Sequence, residues 1–329
     1  MATLTAYYGL FEQAKRLNPD GSLATIVEVL NREMGMILNE APWLPSNDTW
    51  INKTTRRGTL PVGSRRKLNA GVAKEVSRTT DIIDVLEMIE TYAEYDKDYI
   101  DSFPEPARVR LQEAAAFLEG LGQTMCSDIL YGDSNKDPDC MHGLAPRLDT
   151  IDGEFVIDGS GTGDDGTSIY VVTWGQTDVH LIYPKNEPNL GIKHTDKGQV
   201  TLTEFDSSGA STGKMYEGYR DHFQVKCGLV VRNPKCIGRV ANIESAGDTN
   251  TFDNNDLVML LNNMKTNAST RIYCNQTIKT QAEILMLDKS NMYWTPEKGL
   301  DGLPFVAFRG IPVRMIDKDI LLNTETTIS

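Results

Sequence analysis

The chain of 329 residues is poor in the side chains that build metal sites, disulfide frameworks and catalytic centres: it has five cysteines and four histidines. Cys126, Cys140, Cys227, Cys236 and Cys274 form no C-x-x-C pair and are odd in number, which argues against a disulfide scaffold or a zinc module and for a reducing compartment. His142, His180, His194 and His222 are scattered, with no H-E-x-x-H or close ligand spacing, so ordinary polar contacts are expected of them. The start, Met-Ala-Thr-Leu-Thr-Ala-Tyr-Tyr, lacks the basic then apolar pattern of a signal peptide. No apolar run approaches the roughly 20 residues of a membrane helix. Positive charge is also short. The net charge of −13 argues against a protein that grips DNA by displacing its counterions.

What is present is an ordinary globular composition, 40% hydrophobic and 24% charged, with enough length for one large or two interleaved domains. The charge is segregated. From Thr49 to Arg78 the chain carries Lys53, Arg56, Arg57, Arg65, Arg66, Lys67, Lys74 and Arg78 against Glu75 alone. From Asp81 to Glu105 it carries Asp81, Asp84, Glu87, Glu90, Glu94, Asp96, Asp98, Asp101 and Glu105 against Lys97 alone. Adjacent blocks of opposite sign fit two surfaces that meet, within a subunit or between identical ones. They fit equally a solvated basic hairpin beside a solvated acidic ribbon.

Periodicity divides the chain. Two helical pieces precede Pro42 and Pro45, the second capped by Ser22 and lined by Leu23, Ile26, Val27, Leu30, Met34, Ile37 and Leu38. Thr49–Val76 reads as a β-hairpin with a long excursion, too poor in apolar residues to stand alone in water, so it must lie over its own body or a neighbour's. Thr79–Ile100 fits strand or helix. Leu111, Ala114, Ala115, Leu118, Leu121, Met125 and Ile129 recur at three and four residues, predicting a helix from about 106 to 131 that Pro106 opens and Gly132 stops. At 1.5 Å per residue it would span roughly 35–40 Å. Beyond Asp149 the chain is mostly β. Helices are predicted from about Asn254 to Lys265 and Gln276 to Lys289, and Phe305–Asp317 reads as a closing strand pair.

The motifs that suggest catalysis each lack their required setting. Gly161-Thr162-Gly163-Asp164-Asp165-Gly166 fits G-x-G-x-x-G, but a strand follows it and two carboxylates would repel phosphate. Gly209-Ala210-Ser211-Thr212-Gly213 fits G-x-S-x-G without the flanking strand and helix of a nucleophile elbow. Asp133–Pro138 opens like a calcium loop but has Pro138 where glycine and Leu144 where glutamate are required. No catalytic, cofactor-binding or metal-ligating residue is therefore assigned, and no enzymatic activity is expected.

The order of the parts carries more than any motif. Thr25–Trp43, the run Arg65-Arg66-Lys67-Leu68-Asn69-Ala70-Gly71-Val72, Ala116-Phe117-Leu118-Glu119-Gly120, Leu130-Tyr131-Gly132-Asp133, Gly143-Leu144-Ala145-Pro146-Arg147, Trp174-Gly175 with Val179–Lys185, and Cys227–Arg232 succeed one another as in a known family. Together they resemble the major capsid proteins of tailed double-stranded DNA phages, the Hong Kong 97-type fold, in a branch found in short-tailed phages.

The resemblance implies an α+β chain with a helical N-arm (1–45), an extended basic loop (46–78) and a peripheral domain with a spine helix (79–148). A mainly axial domain (149–300) and C-terminal strands returning to the body (301–329) complete it. It implies self-assembly into hexamers and pentamers of an icosahedral head around double-stranded DNA, in the virion, after assembly in the bacterial cytoplasm. Expected partners are many identical copies, a separate scaffolding protein, a portal, a cement or decoration protein, and packaged DNA without sequence-specific contact. The expected inter-subunit contact joins Lys53, Arg56, Arg57, Arg65, Arg66 and Lys67 to Glu87, Glu90, Glu94 and Asp96 of a neighbour. Other readings are a tail or decoration protein, also β-rich, and a metal-dependent hydrolase using the acidic stretch. Imaging separates closed shells, tubes or rings, and small soluble particles.

Overall fold

The computed structural model describes residues 37–187, 191–206, 210–247, 249–286, 294–298 and 304–329. The expected N-arm lies outside the described residues up to position 36. From there the chain runs through α1 (Ile37–Glu40), β1 (Trp43–Pro45), β2 (Ile51–Thr59), β3 (Arg78–Val85), β4 (Glu87–Asp96), α2 (Lys97–Asp101) and α3 (Pro106–Tyr131). Strands β5 (Val156–Asp158), β6 (Gly166–Thr173), β7 (Val179–Tyr183), β8 (Lys193–Phe205), β9 (Ser211–Val231) and β10 (Ile237–Glu244) follow. The last elements are α4 (Asn254–Asn263), β11 (Thr270–Asn275), α5 (Gln276–Met286), β12 (Trp294–Lys298), β13 (Pro304–Phe308) and β14 (Ile311–Ile316).

The ambiguous stretch after Thr79 is therefore strand followed by a short helix. Strand β4 alternates: Glu87, Ala93 and Tyr95 are buried, while Met88, Glu90, Tyr92, Glu94 and Asp96 face solvent. The stretch Ser211–Val231 is one continuous strand, β9. Helix α3 starts at Pro106 as its proline signal requires. Its end at Gly132 is set by close approach rather than by a left-handed backbone. A Cβ on Gly132 would lie 2.6 Å from the Met141 carbonyl oxygen and 2.9 Å from Cys140 Sγ, so the glycine is there to let the following loop close in.

Two compact units divide the chain. Of the described residues, the first holds Ile89–Gly122 and Ile192–Val225. Its core joins Ala93 and Tyr95 of β4, Ile100 and Phe103, the α3 residues Val109, Ala114 and Leu121, and Phe223 of β9. Strands β8 and β9 pair antiparallel there, His194 opposite Phe223 and Leu202 opposite Tyr216. Arg110 on α3 bonds Asp221 at 2.6 Å and Asp196 at 2.8 Å.

The second unit holds Glu33–Met88, Gln123–Gly191 and Lys226–Ser329. Its seven-stranded sheet has the order β12-β13-β14-β11-β6-β10-β5. Every residue of β6 is buried, as its continuous run of Ser-Ile-Tyr-Val-Val-Thr suits a central strand. Helices α4 and α5 cover the sheet with Leu257, Leu260, Leu261, Ile278 and Ala282, packed on Ile169, Val171, Val240 and Ile272. Asp253 caps α4 by accepting the Asn255 N–H.

Buried ion pairs fix the edges of this unit. Glu325 in the C-terminal tail bonds Arg239 of β10 at 2.8 Å, with both side chains about 5% exposed, and accepts the Ser168 and Tyr131 hydroxyls. Glu40 bonds Arg271 at 3.0 Å and Arg314 at 2.9 Å, joining α1 to β11 and β14. Breaking one partner of such a buried pair costs far more than a surface bridge contributes.

The catalytic-looking motifs resolve as turns. Residues 161–165 precede β6 rather than a helix, and the Asp133 carboxylate accepts the Asn135 N–H within a local turn. Of Gly209–Gly213 the described residues, 210–213, lie at and just after the start of β9.

Candidate assembly surface

Strands β2 and β3 form an isolated two-stranded ribbon in the second unit, with Ile51 opposite Val85 and Arg57 opposite Thr79. A ribbon of this kind has little to hold it in water. Its two ends solve this differently.

The root is anchored. Leu86 packs with Ile182 and Val230, and its N–H donates to the Trp50 carbonyl at 3.0 Å. Asp84 is 2% exposed and bonds the Arg147 guanidinium at 2.7 Å. Arg147 in turn donates to the carbonyls of His142 and Gly143, so the root is tied to the chain just before it. Gly228 admits the Val85 carbonyl, which a Cβ there would approach to 2.8 Å.

The tip is not anchored. Every residue from Arg57 to Asp81 is exposed, and between the two strands, over 60–77, there is only a single turn. Leu60, Val62, Leu68, Val72 and Val76 are 70%, 74%, 97%, 48% and 77% exposed. Local hydrogen bonds still shape it. Ala70 N–H donates to the Lys67 carbonyl at 3.2 Å, with Asn69 at φ 64°, a left-handed conformation that asparagine tolerates. Arg66 Nε braces this turn on the Ala70 carbonyl at 2.8 Å, and the Val62 N–H reaches the Glu75 carboxylate across the loop. Leu68 thus sits at the apex of a defined, solvated finger.

The charged residues singled out from the sequence fall into distinct settings. Lys53 bonds Asp81 across the ribbon at 2.8 Å; with Thr55 it holds the Asp81 carboxyl below its usual range. Arg56 corrects the expectation of an outward contact. It shares a strand face with Asn52 and Thr54, is half-buried, and donates to the Val231 carbonyl and, at 2.8 Å, to that of Arg232. Arg57, Arg65 and Lys67 are exposed and form no ion pair among the described residues.

On the acidic side Glu87 is the correction. It is 3% exposed and accepts the Met141 N–H at 2.9 Å, so it cannot belong to a surface. Glu90, Glu94 and Asp96 share the outward face of β4. Glu90 bonds His222 at 3.2 Å, Glu94 bonds Arg220 at 2.8 Å, and Asp96 caps α2 through the N–H groups of Asp98 and Tyr99. None of the six basic residues pairs with any of these acids within the chain, among the described residues.

The sequence reading undervalued the apolar tip residues. Their signal was the lack of any matching apolar stretch within the hairpin.

A family model described as major capsid protein GP7 matches residues 18–329. Among solved structures, a chain of bacteriophage Epsilon15 is 24% identical, covers 96% of this chain and 97% of its own, and superposes with a TM-score of 0.70. A chain of the bacteriophage JBD30 capsid is 12% identical with 97% of each chain covered and a TM-score of 0.43. One from the holo-SrpI encapsulin complex of Synechococcus elongatus is 10% identical, with 70% of this chain and 95% of that one covered and a TM-score of 0.47. No curated protein matches the chain. The Epsilon15 likeness shows the fold, the α+β Hong Kong 97-type fold that the sequence resemblance implies.

Proposed function

The chain belongs to the family of the major capsid protein GP7, and on that premise we propose that its finger docks on the next copy as the subunits close into an icosahedral phage head. The observation that carries this is the tip itself: apolar side chains at 60, 62, 68, 72 and 76 are left in water on a finger whose root is fixed. A monomer gains nothing from that arrangement, whereas a neighbour that covers the tip does.

Magnitudes rank the forces. A fully buried Val or Leu contributes about 1.5–3 kcal/mol, while an exposed ion pair contributes about 0–1 kcal/mol. Apolar contact therefore supplies most of the docking energy. Arg57, Arg65, Arg66 and Lys67 set direction and register against a neighbour's Glu90, Glu94 and Asp96, making assembly salt-sensitive without being abolished by salt.

In this reading the subunits form hexamers and pentamers, with residues 79–148 peripheral and 149–300 mainly axial. The product is a virion shell built in the host cytoplasm. A separate scaffolding protein, a portal and a cement protein are the other partners, and the packed DNA lies nearby without specific contact.

Negative-stain imaging of three proteins tests the reading. Wild type should give closed shells. Leu68→Asp should give folded, unassembled subunits. Arg65→Glu/Arg66→Glu should assemble poorly at low salt, where like charges face each other most strongly. Equal shell yields from all three across ionic strength would contradict the docking.

A further inference from the structure

Beneath the finger root the second unit brings two carboxylates and two thiols together from four separate segments. Glu87 begins β4, Asp128 lies in the last turn of α3, Cys140 is in the loop that follows, and Cys227 is on β9. The ligand atoms of Glu87, Asp128 and Cys140 all lie within 4.8 Å of one another. Cys140 Sγ is 3.5 Å from Glu87 Oε2, and the fully buried Cys227 Sγ is 3.6 Å from Glu87 Oε1.

The arrangement is short of positive charge. Glu87 is nearly sealed from solvent, and among the described residues Oε1 is held only by a thiol, a weak donor. The groups that act most strongly on Glu87 from nearby are an amide, the two thiols and the Asp128 carboxylate. Asp128 itself faces another acid, Asp137, and takes no side-chain hydrogen bond among the described residues. Burial pushes the Glu87 carboxyl up to about 7 and, together with the neighbouring acids, the Cys140 thiol up to about 12. A buried carboxylate in such company needs a proton or a cation.

The loop is built to hold this geometry. Gly143 N–H donates to the Gly132 carbonyl at 2.8 Å and Leu144 N–H to that of Ile129 at 2.9 Å. A side chain at Gly132 would strike the Asp128 carbonyl oxygen and Cys140 Sγ. Cys140 is thereby pressed against the end of α3.

We propose that Glu87, Asp128 and Cys140 form a binding site for a thiophilic divalent cation of the zinc class, with Cys227 holding the Glu87 carboxylate from behind. Tetrahedral zinc with Zn–O near 2.0 Å and Zn–S near 2.3 Å places oxygen and sulfur ligands about 3.5 Å apart. The separation of Cys140 Sγ from Glu87 Oε2, 3.5 Å, matches that edge. Sulfur ligands select zinc-class ions over magnesium or calcium. On binding, the Cys140 thiol and any protonated carboxyl release their protons to solvent, so uptake strengthens as pH rises. A bound ion would tie β4, α3 and the 132–143 loop into one cross-link directly below the finger. Sequence spacing hid the site because Glu87, Asp128 and Cys140 come from separate segments of the chain.

Cobalt(II) is the probe. The full chain, stripped with a chelator and titrated with Co²⁺, should take up one equivalent and show a thiolate-to-cobalt charge-transfer band. Cys140→Ser should weaken uptake at least tenfold and remove the band, and Cys236→Ser should leave both unchanged. A second measurement needs no variant. Zn²⁺ should slow maleimide labelling of the partly exposed Cys140 at least tenfold, with the rate restored by chelator. No cobalt–thiolate band, or a Cys140 labelling rate indifferent to Zn²⁺, would mean that the cluster holds protons only and would overturn the proposal.

Discussion

The root and the tip of the finger are made of one ribbon yet are held by opposite means. At the root, polar groups are buried and paired: Asp84 with Arg147, Arg56 with two main-chain carbonyls, and Leu86 in a small apolar cluster. At the tip, apolar groups are exposed and unpaired. The root's contacts are complete within one subunit, whereas the tip's are absent from it. Substitutions at the root should therefore change the stability of the isolated subunit, and substitutions at the tip should change association alone.

The largest expected effect is at Arg147. Arg147→Ala strands the Asp84 carboxylate in a buried site, and denaturant melts of the free subunit should show a loss of about 3–5 kcal/mol. A loss below 1 kcal/mol would mean that the root is not fixed by this pair.

Next is a pH effect beside the root. His180 on β7 is opposite Val230 and is 1% exposed. Burial, reinforced by the charge of Arg232, depresses its pKa to about 4, against an ordinary value of 6.5. Between these values the unfolded chain binds a proton that the folded chain refuses, so stability falls as pH drops from 6.5 towards 4. The difference between wild type and His180→Gln over that window should be about 2–4 kcal/mol in melts run at both pH values. Parallel pH profiles for the two proteins would remove His180 from the account.

Gly228→Ala should cost about 1–3 kcal/mol, because its Cβ would overlap the Val85 carbonyl and push β3 off its seat. Thermal melts with unchanged stability would show that the root tolerates displacement. The smallest effect is at the tip. Leu68→Ser, at a position 97% exposed, should change subunit stability by less than about 0.5 kcal/mol while lowering the yield of assembled particles. A large loss in the melt would show that the tip is supported within its own subunit.

Much of this division was legible in the sequence. The start of the finger and its cationic character were read from Thr49–Val76, whereas its return strand, β3 at Arg78–Val85, lies beyond that span. The helix at Pro106–Tyr131 followed from apolar spacing, since a long run of three- and four-residue steps has little competition from strand. What was not legible was direction. Arg56 and Glu87 were grouped with outward charges because net charge ignores the pleat. Both sit on the inner face of alternating strands. For Glu87 the period of two becomes usable only once Thr79–Ile100 is recognised as strand, and for Arg56, in a hairpin already read as strand, the pattern does not say which face meets the body. The thiol–carboxylate cluster was hidden for a different reason: it depends on contacts between segments distant in the chain, which no local spacing encodes.

Hydrogen–deuterium exchange on free subunits and on assembled particles tests the central claim most directly. Docking of the tip on a neighbouring copy predicts that amides across 60–77 exchange rapidly in the free subunit and become protected in the particle, while β2 and β3 near the root are protected in both. Equally fast exchange of 60–77 in the two states would show that no neighbour covers the finger.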